Sequence, residues 1–266
     1  MSPAVRPSTI LLCALTIFVA ILLYSPIFVP IISSFFTVLR GQVDWSAPTL
    51  SAYAALVRNE DILAALRATL LVGACTVVLS VVCGTLFALY HHNRRAGRGF
   101  LQFIIFLPFL MPPVISGLAL LIFFREIDFE RSLVTVVIGH TVFVLAIVYR
   151  TILTRLQSLS HTLVEASYDL GASGWQTFWR VILPNLSTAM AGGAILAFAL
   201  SFDETMITIL VTGPQSTLPV RLWGMMRLGF SPDINALVAL ILLFTVLLCV
   251  LAAHFLIPRQ VATLRN

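Results

Sequence analysis

Lysine is absent from this chain: all 16 of its basic residues are arginine. A phosphate-binding loop of the Walker A type needs a lysine to reach the β- and γ-phosphates. Schiff-base catalysis needs a lysine amine. The chain supports neither chemistry, so any ATP-driven work it takes part in is done by a partner. Charge of both signs is scarce. Only 10% of residues are charged, 59% are hydrophobic, and the mean hydropathy is +1.02. A soluble domain is about a quarter charged and about half apolar. A soluble core made from 266 residues does not hide so much apolar surface, and lipid is the solvent for most of the chain. Cysteine is sparse too. Cys13, Cys75, Cys83 and Cys249 lie in apolar runs and none forms a CxxC pair. That reads as small packing residues, with no disulfide framework, no metal site and no cofactor expected. No charge falls between Thr9 and Leu39. That run is too long for a signal-peptide core of roughly 7–15 residues, and it reads as an uncleaved first span.

A helix needs about 20 apolar residues to cross the hydrocarbon. The segments 9–33, 68–90, 100–124, 133–149, 181–212 and 234–257 meet that need. The expected fold is an all-α integral membrane protein with about six transmembrane helices, in one domain over 1–266. Pro26, Pro30, Pro108, Pro112 and Pro113 fall within or at the ends of spans. They predict kinks and local unwinding, which membranes tolerate where neighbours satisfy the freed carbonyls. With the N-terminus inside, nine arginines lie on the cytoplasmic side and seven outside. The cluster His91-His92-Asn93-Arg94-Arg95 sits in a short loop beside two span ends. Both point to cytoplasmic termini by the positive-inside rule. The basic residues are scattered over span ends, so a nucleic-acid surface is not expected.

The interval 150–180, between the fourth and fifth spans, is long for a cytoplasmic loop and is not low-complexity. Leu159, Leu163, Ala166, Leu170, Gly174 and Phe178 recur at spacings of three and four, which predicts one or two short amphipathic helices. Ser160 or Thr162 is placed to cap the first, with Glu165 in its acid-favouring first turn. Gly171 and Gly174 are placed to break or turn it. An amphipathic helix outside the membrane buries its apolar face on lipid, on the rest of the chain, or on a partner protein.

Glu165-Ala166-Ser167-Tyr168-Asp169-Leu170-Gly171, followed by Val181-Ile182-Leu183-Pro184, resembles the EAA motif of permease subunits of binding-protein-dependent ABC importers. That motif reads Glu-Ala-Ala, three residues, Gly, nine residues, then Ile-x-Leu-Pro. Here Ser167 stands for Ala and Val181 for Ile. The resemblance implies that the loop, with Glu165, Ala166, Ser167, Asp169, Gly171, Leu183 and Pro184, couples the permease to an ATPase subunit. It further implies a second permease subunit, identical or homologous, a periplasmic substrate-binding protein, and a place in the bacterial inner membrane. Ser201-Phe202-Asp203-Glu204, Val211-Thr212-Gly213-Pro214, Leu218-Pro219 and Ser231-Pro232 with Ile234-Asn235-Ala236-Leu237 look like the second permease of spermidine/putrescine importers. This narrower resemblance implies a polyamine as solute; relatives of similar layout carry iron, sulfate, phosphonates or opines.

Asp203 and Glu204 are the only charged residues between Val181 and Arg221. Ionisable groups within a span are costly and point to a pathway or site. Counted along a helix from Pro184, Asp203 lies roughly 28 Å on, in the outer half of the bilayer. On an unbroken helix Ser201, Thr205, Thr208 and Thr212 form one polar stripe. Glu204 falls at its edge and Asp203 nearly opposite. The stripe predicts a water-filled path with Glu204 facing it. Asp203 is then expected to pair with a neighbouring helix or with Arg221 or Arg227; the alternative is that both acids form an interfacial pair that caps a helix or pairs with those arginines. Phe202 and Trp223 are candidate aromatic faces for a cation, and equally ordinary packing residues. Two rival classes remain. Gly171-Ala172-Ser173-Gly174 with His254 matches the GxSG and histidine of a rhomboid-like membrane serine protease. A stand-alone secondary transporter or channel is the other, although inverted repeats are not visible. His140 and His254 read as packed or interfacial histidines.

Overall fold

The computed structural model describes residues 7–39, 42–94, 96–228 and 232–256. Of the arginines counted above, Arg6, Arg40, Arg95, Arg259 and Arg265 lie outside them, as do Ser231 and residue 257, and so do the side chains of Pro232, Cys249 and His254. The described chain is mainly helical. Its elements are α1 (Pro7–Ser33), β1 (Phe36–Leu39), β2 (Gln42–Pro48), α2 (Ser51–Arg58), α3 (Glu60–Asn93), α4 (Arg98–Leu110), α5 (Pro113–Glu126), α6 (Leu133–Gln157), α7 (His161–Asp169), α8 (Gly174–Thr177), a π-helical turn (Phe178–Ile182), α9 (Leu183–Asp203), α10 (Met206–Val211), α11 (Leu218–Leu228) and α12 (Pro232–Leu256).

Four described helical stretches are long and apolar enough to cross a membrane: Thr9–Ser33, Glu60–Asn93, Leu133–Gln157 and Gly174–Asp203. The predicted third span is broken. α4 and α5 pass the same test only together and meet at 108°. The cause is local: Pro112 and Pro113 withdraw two consecutive N–H donors, and Met111 is extended (φ −76°, ψ 144°). Ser116 Oγ bridges the break by donating to the carbonyl of Pro108 (3.2 Å). Pro26 and Pro30, by contrast, are carried inside α1 without a break. The sixth predicted span falls on α12, within which Ile234–Leu247 forms a shorter apolar helix.

Two compact units divide the chain. One falls within Met1–Leu63 and Gly224–Leu248, the other within Ala64–Trp223 and Cys249–Asn266. The first contains an antiparallel hairpin, β1 with β2, in register Thr37↔Asp44, Val38↔Val43 and Leu39↔Gln42. Sequence reading treated this stretch as an outer loop; its alternation of Val, Trp and polar residues is too short to stand out beside the apolar spans. Ser34 Oγ bonds Tyr53 Oη (2.6 Å), tying the end of α1 to α2.

The second unit is built around α6. Just over half of its apolar window is buried, against none of that of α1. Lipid is as apolar as leucine, so close packing rather than water exclusion holds such helices together. α6 packs against α9, α4, α5 and α10. Tyr149, Ile152, Leu153 and Leu156 of α6 form one cluster with Leu186 and Ala197 of α9. Val136 and Val137 of α6 form another with Ile207 and Val211 of α10 and Phe124 of α5.

Candidate coupling loop and intramembrane acids

α6 runs on to Gln157 and the fifth span starts at Gly174, so the loop between them is shorter than the expected 150–180. Ser160 is the N-cap of α7; its hydroxyl accepts from the Thr162 N–H (3.3 Å). α7 ends in a Schellman motif. The Gly171 N–H donates to Tyr168 O (2.8 Å) and the Ala172 N–H to Ser167 O (3.0 Å). The motif needs a left-handed residue after the cap, and Gly171 has φ +82°. Ser173 caps α8 in a reciprocal box: its Oγ accepts from the Gln176 N–H (3.3 Å), and its own N–H donates to Gln176 Oε1 (2.8 Å). Buried Ser167 and Thr177 share a hydroxyl hydrogen bond of 2.9 Å that joins α7 to α8. His161, first in α7, stacks on His92 at the end of α3 with ring centroids 6.0 Å apart.

The Leu-Pro end of the motif enters the fifth span. Pro184 offers no N–H to the helical ladder, and one wide turn precedes it, with the Leu183 N–H reaching back to Phe178 O. Asn185 Nδ2 donates to Val181 O (2.7 Å). Arg155 Nε, from the last turn of α6, donates to Asn185 O (3.0 Å). Within the loop α7 is joined to α8 and stacks on the end of α3, and α6 is tied to α9 beside it, while the loop's apolar side chains are left open. Leu170 is 89% exposed and Trp175 70%. Glu165, Ala166, Asp169, Gly171 and Pro184 are exposed as well, and Leu183 is half-buried.

The acids sit elsewhere, and here the structure corrects the sequence reading. The helix assumed to run from Ser201 to Thr212 is broken. α9 ends at Asp203, Glu204 is extended (φ −71°, ψ 111°), and α10 restarts at Met206. No glycine or proline causes this break. Side chains satisfy the backbone groups it frees. Glu204 Oε1 accepts from the Ile207 N–H (2.9 Å). Thr208 Oγ1 donates to Glu204 O (2.8 Å). The Thr135 hydroxyl of α6 is shared between Val211 O (2.7 Å), at the far end of α10, and Ser132 O (2.6 Å). The single polar stripe therefore does not exist. Ser201 and Thr208 are buried, and both bond the ring of His140, at Nδ1 and Nε2 respectively, 2.8 Å each. Thr205 is half-buried and donates to Asp203 O (3.2 Å). Phe202 is half-buried against Phe198, centroids 5.9 Å apart. The accessibilities of the two acids are the reverse of expectation: Asp203 is exposed and Glu204 is half-buried in its capping role. Sequence reading assigned His140 to packing; its lone imidazole in an apolar span was the available signal.

The model of binding-protein-dependent transport system inner membrane components matches residues 80–260. The chain belongs to that family. The permease is 34% identical over 229 residues to the putrescine transport system permease protein PotI of Escherichia coli (strain K12), covering 83% of this chain and 81% of that protein. It is 29% identical over 231 residues to the spermidine/putrescine transport system permease protein PotC of the same strain, covering 86% and 87%. Among solved structures, a bacterial ABC transporter involved in the import of the acidic polysaccharide alginate matches with TM-score 0.74 at 16% identity over 94% of each chain. The inward-facing MetNI methionine ABC transporter matches with TM-score 0.61 at 17% identity, over 77% of this chain and 96% of that one. At such identities these two likenesses establish the fold alone. The permease is a multi-pass inner-membrane subunit of an ABC importer, and the rival readings as protease or stand-alone transporter give way. Ser173, the serine of the protease reading, serves as a helix cap.

Proposed function

We propose that the permease carries a polyamine such as spermidine or putrescine. It forms the path with a second permease subunit, receives solute from a periplasmic binding protein, and is driven by a separate ATPase. The observation that carries the solute class is the pair of adjacent carboxylates at a helix break within the fifth predicted span, Asp203 exposed and Glu204 half-buried. A bare carboxylate against lipid is costly, so an exposed Asp203 belongs against water or a partner subunit. Two acids attract a polycation and repel an anion. The kinship with PotI and PotC supports the same reading.

In this reading α7 and α8 rest on the ATPase subunit. The bond that joins α7 to α8 and the stack of α7 on the end of α3, beside the open apolar surface of Leu170 and Trp175, support it. Both termini are then cytoplasmic, and the chain is one six-span permease domain. The absence of lysine leaves ATP hydrolysis to the partner.

The test is uptake of labelled spermidine, putrescine and sulfate by vesicles holding the complete importer at matched protein level. Spermidine or putrescine is expected to enter, with KM raised in Asp203→Asn and raised less in Glu204→Gln. Sulfate uptake by the wild-type complex, or unchanged polyamine kinetics in both variants, refutes the assignment.

A further inference from the structure

The geometry points to His140 as the positioning residue of the acid-bearing elbow, a neutral Nε2–H imidazole on α6 that joins the end of α9 to α10 across the break. The role given to the acids rests on the polyamine reading; the bridge itself does not.

One assignment of protons fills all three contacts at once. Glu204 O only accepts, so filling its 2.8 Å contact takes the single proton of the Thr208 hydroxyl. Thr208 Oγ1 is then the acceptor in its 2.8 Å contact with His140 Nε2, and Nε2 carries a proton. In a neutral ring Nδ1 is consequently the acceptor. The Ser201 hydroxyl donates to it across 2.8 Å. The result is one directed chain: Ser201 O–H to Nδ1, Nε2–H to Thr208 Oγ1, Thr208 O–H to the carbonyl of Glu204. It starts in the last turn of α9, crosses α6, and ends on the elbow.

The surroundings leave the ring in place. His140 is 1% exposed, Ser201 3% and Thr208 0%. α10 lies close to α6 because residue 139 is glycine: a Cβ there would come within 2.8 Å of Ile207 Cγ2. On the other side Gly117 of α5 would bring a Cβ within 3.1 Å of Ile207 Cα. α10 is thus seated between two helices and aligned by three side-chain bonds, from His140, Thr135 and Glu204. Of these residues only His140 holds both sides of the break. It sets where Asp203 and Glu204 stand relative to one another and to α6, and so the spacing of charge offered to a flexible polycation.

Two measurements test this on the complete importer in membranes. The first is the ¹⁵N spectrum of histidine-labelled protein, with the His140 signals assigned by their loss in His140→Gln. An Nε2–H neutral ring is expected; an Nδ1–H tautomer or an imidazolium at neutral pH overturns the proposal. The second is spermidine uptake at matched protein level. Interhelical hydrogen bonds in membranes are each worth about threefold in an equilibrium, so Thr208→Val, nearly isosteric, should raise KM about threefold and His140→Leu about tenfold. Vmax should change little, and His140→Gln, which keeps one donor and one acceptor, should recover most of the loss. Unchanged KM in both Thr208→Val and His140→Leu overturns the positioning role. So does an equal fall of Vmax in His140→Leu and His140→Gln, which marks a packing role only. If the wild-type complex carries no spermidine, the polyamine reading fails, and the tautomer alone decides for or against the bridge.

Discussion

Replacing Gly171 separates backbone conformation from partner contact in the proposed coupling loop. Its φ of +82° lies in the left-handed region, and a Cβ built there meets nothing within 4 Å among the described residues. Within the subunit the cost of a side chain is therefore conformational. It amounts to about 1–2 kcal/mol for an ordinary L-residue, and is much smaller for asparagine, which tolerates this region. A β-branched residue lies at the costly end. If the chain relaxes out of that conformation, the two bonds that close α7, Gly171 N–H to Tyr168 O and Ala172 N–H to Ser167 O, are lost together. Leu170, the exposed residue just before the turn, is then misdirected. A penalty of 1–2 kcal/mol shifts the balance between the formed and unformed cap by a factor of about 5–30. Solute uptake at matched protein level, together with stimulation of ATP hydrolysis by loaded binding protein, is the assay. Gly171→Val should lose most coupled uptake, Gly171→Ala should fall between, and Gly171→Asn should stay close to wild type. Normal uptake in Gly171→Val would show that the left-handed cap is dispensable. Equal damage from Asn and Val would show that space beneath a partner, rather than φ, is what position 171 requires.

Ser173→Ala removes one half of the α8 capping box, at a cost of about 1 kcal/mol. Uptake should be largely kept, and a serine-directed covalent probe should not label the wild-type chain. Gly213→Ala should lower the yield and the thermal midpoint of the detergent-solubilised complex. Its Cβ would overlap the Arg131 carbonyl oxygen, a backbone atom that has no rotamer in which to retreat. A normal yield and midpoint would show that the 131–213 contact is loose.

The helix-capping logic of the loop was readable in part, since Glu165, expected in the first turn, lies beyond the first turn of α7. Ser160 is the N-cap that its place ahead of an amphipathic run implied, and Gly171 ends the helix. Pro112 and Pro113 break the third span where they predicted unwinding. The shape of the site around the acids was not readable. The stripe through Ser201, Thr205, Thr208 and Thr212 assumed one helical phase, and the phase is lost at Glu204.

What the sequence determined by itself is what depends on composition and on near neighbours. A long uncharged run must lie in lipid, a chain without lysine has no Walker A loop, and the EAA spacing marks the loop and the family. Caps and proline breaks belong to the same class, because their causes lie within a few residues. The tertiary structure alone decided the break between α9 and α10. Nothing local forbids a helix through Phe202-Asp203-Glu204-Thr205-Met206. Glu204 and Thr208 take up the backbone groups freed at the break, and groups far away in sequence on α6 hold the elbow in place, His140 through the hydroxyls of Ser201 and Thr208 and Thr135 through Val211 O. Buried inside the membrane domain, His140, Ser201 and Thr208 meet no solvent that could do so. A polar group there bonds whatever the fold brings to it, over separations of 61 and 68 residues for the two contacts of His140, and helical phase read along one segment carries no record of those partners.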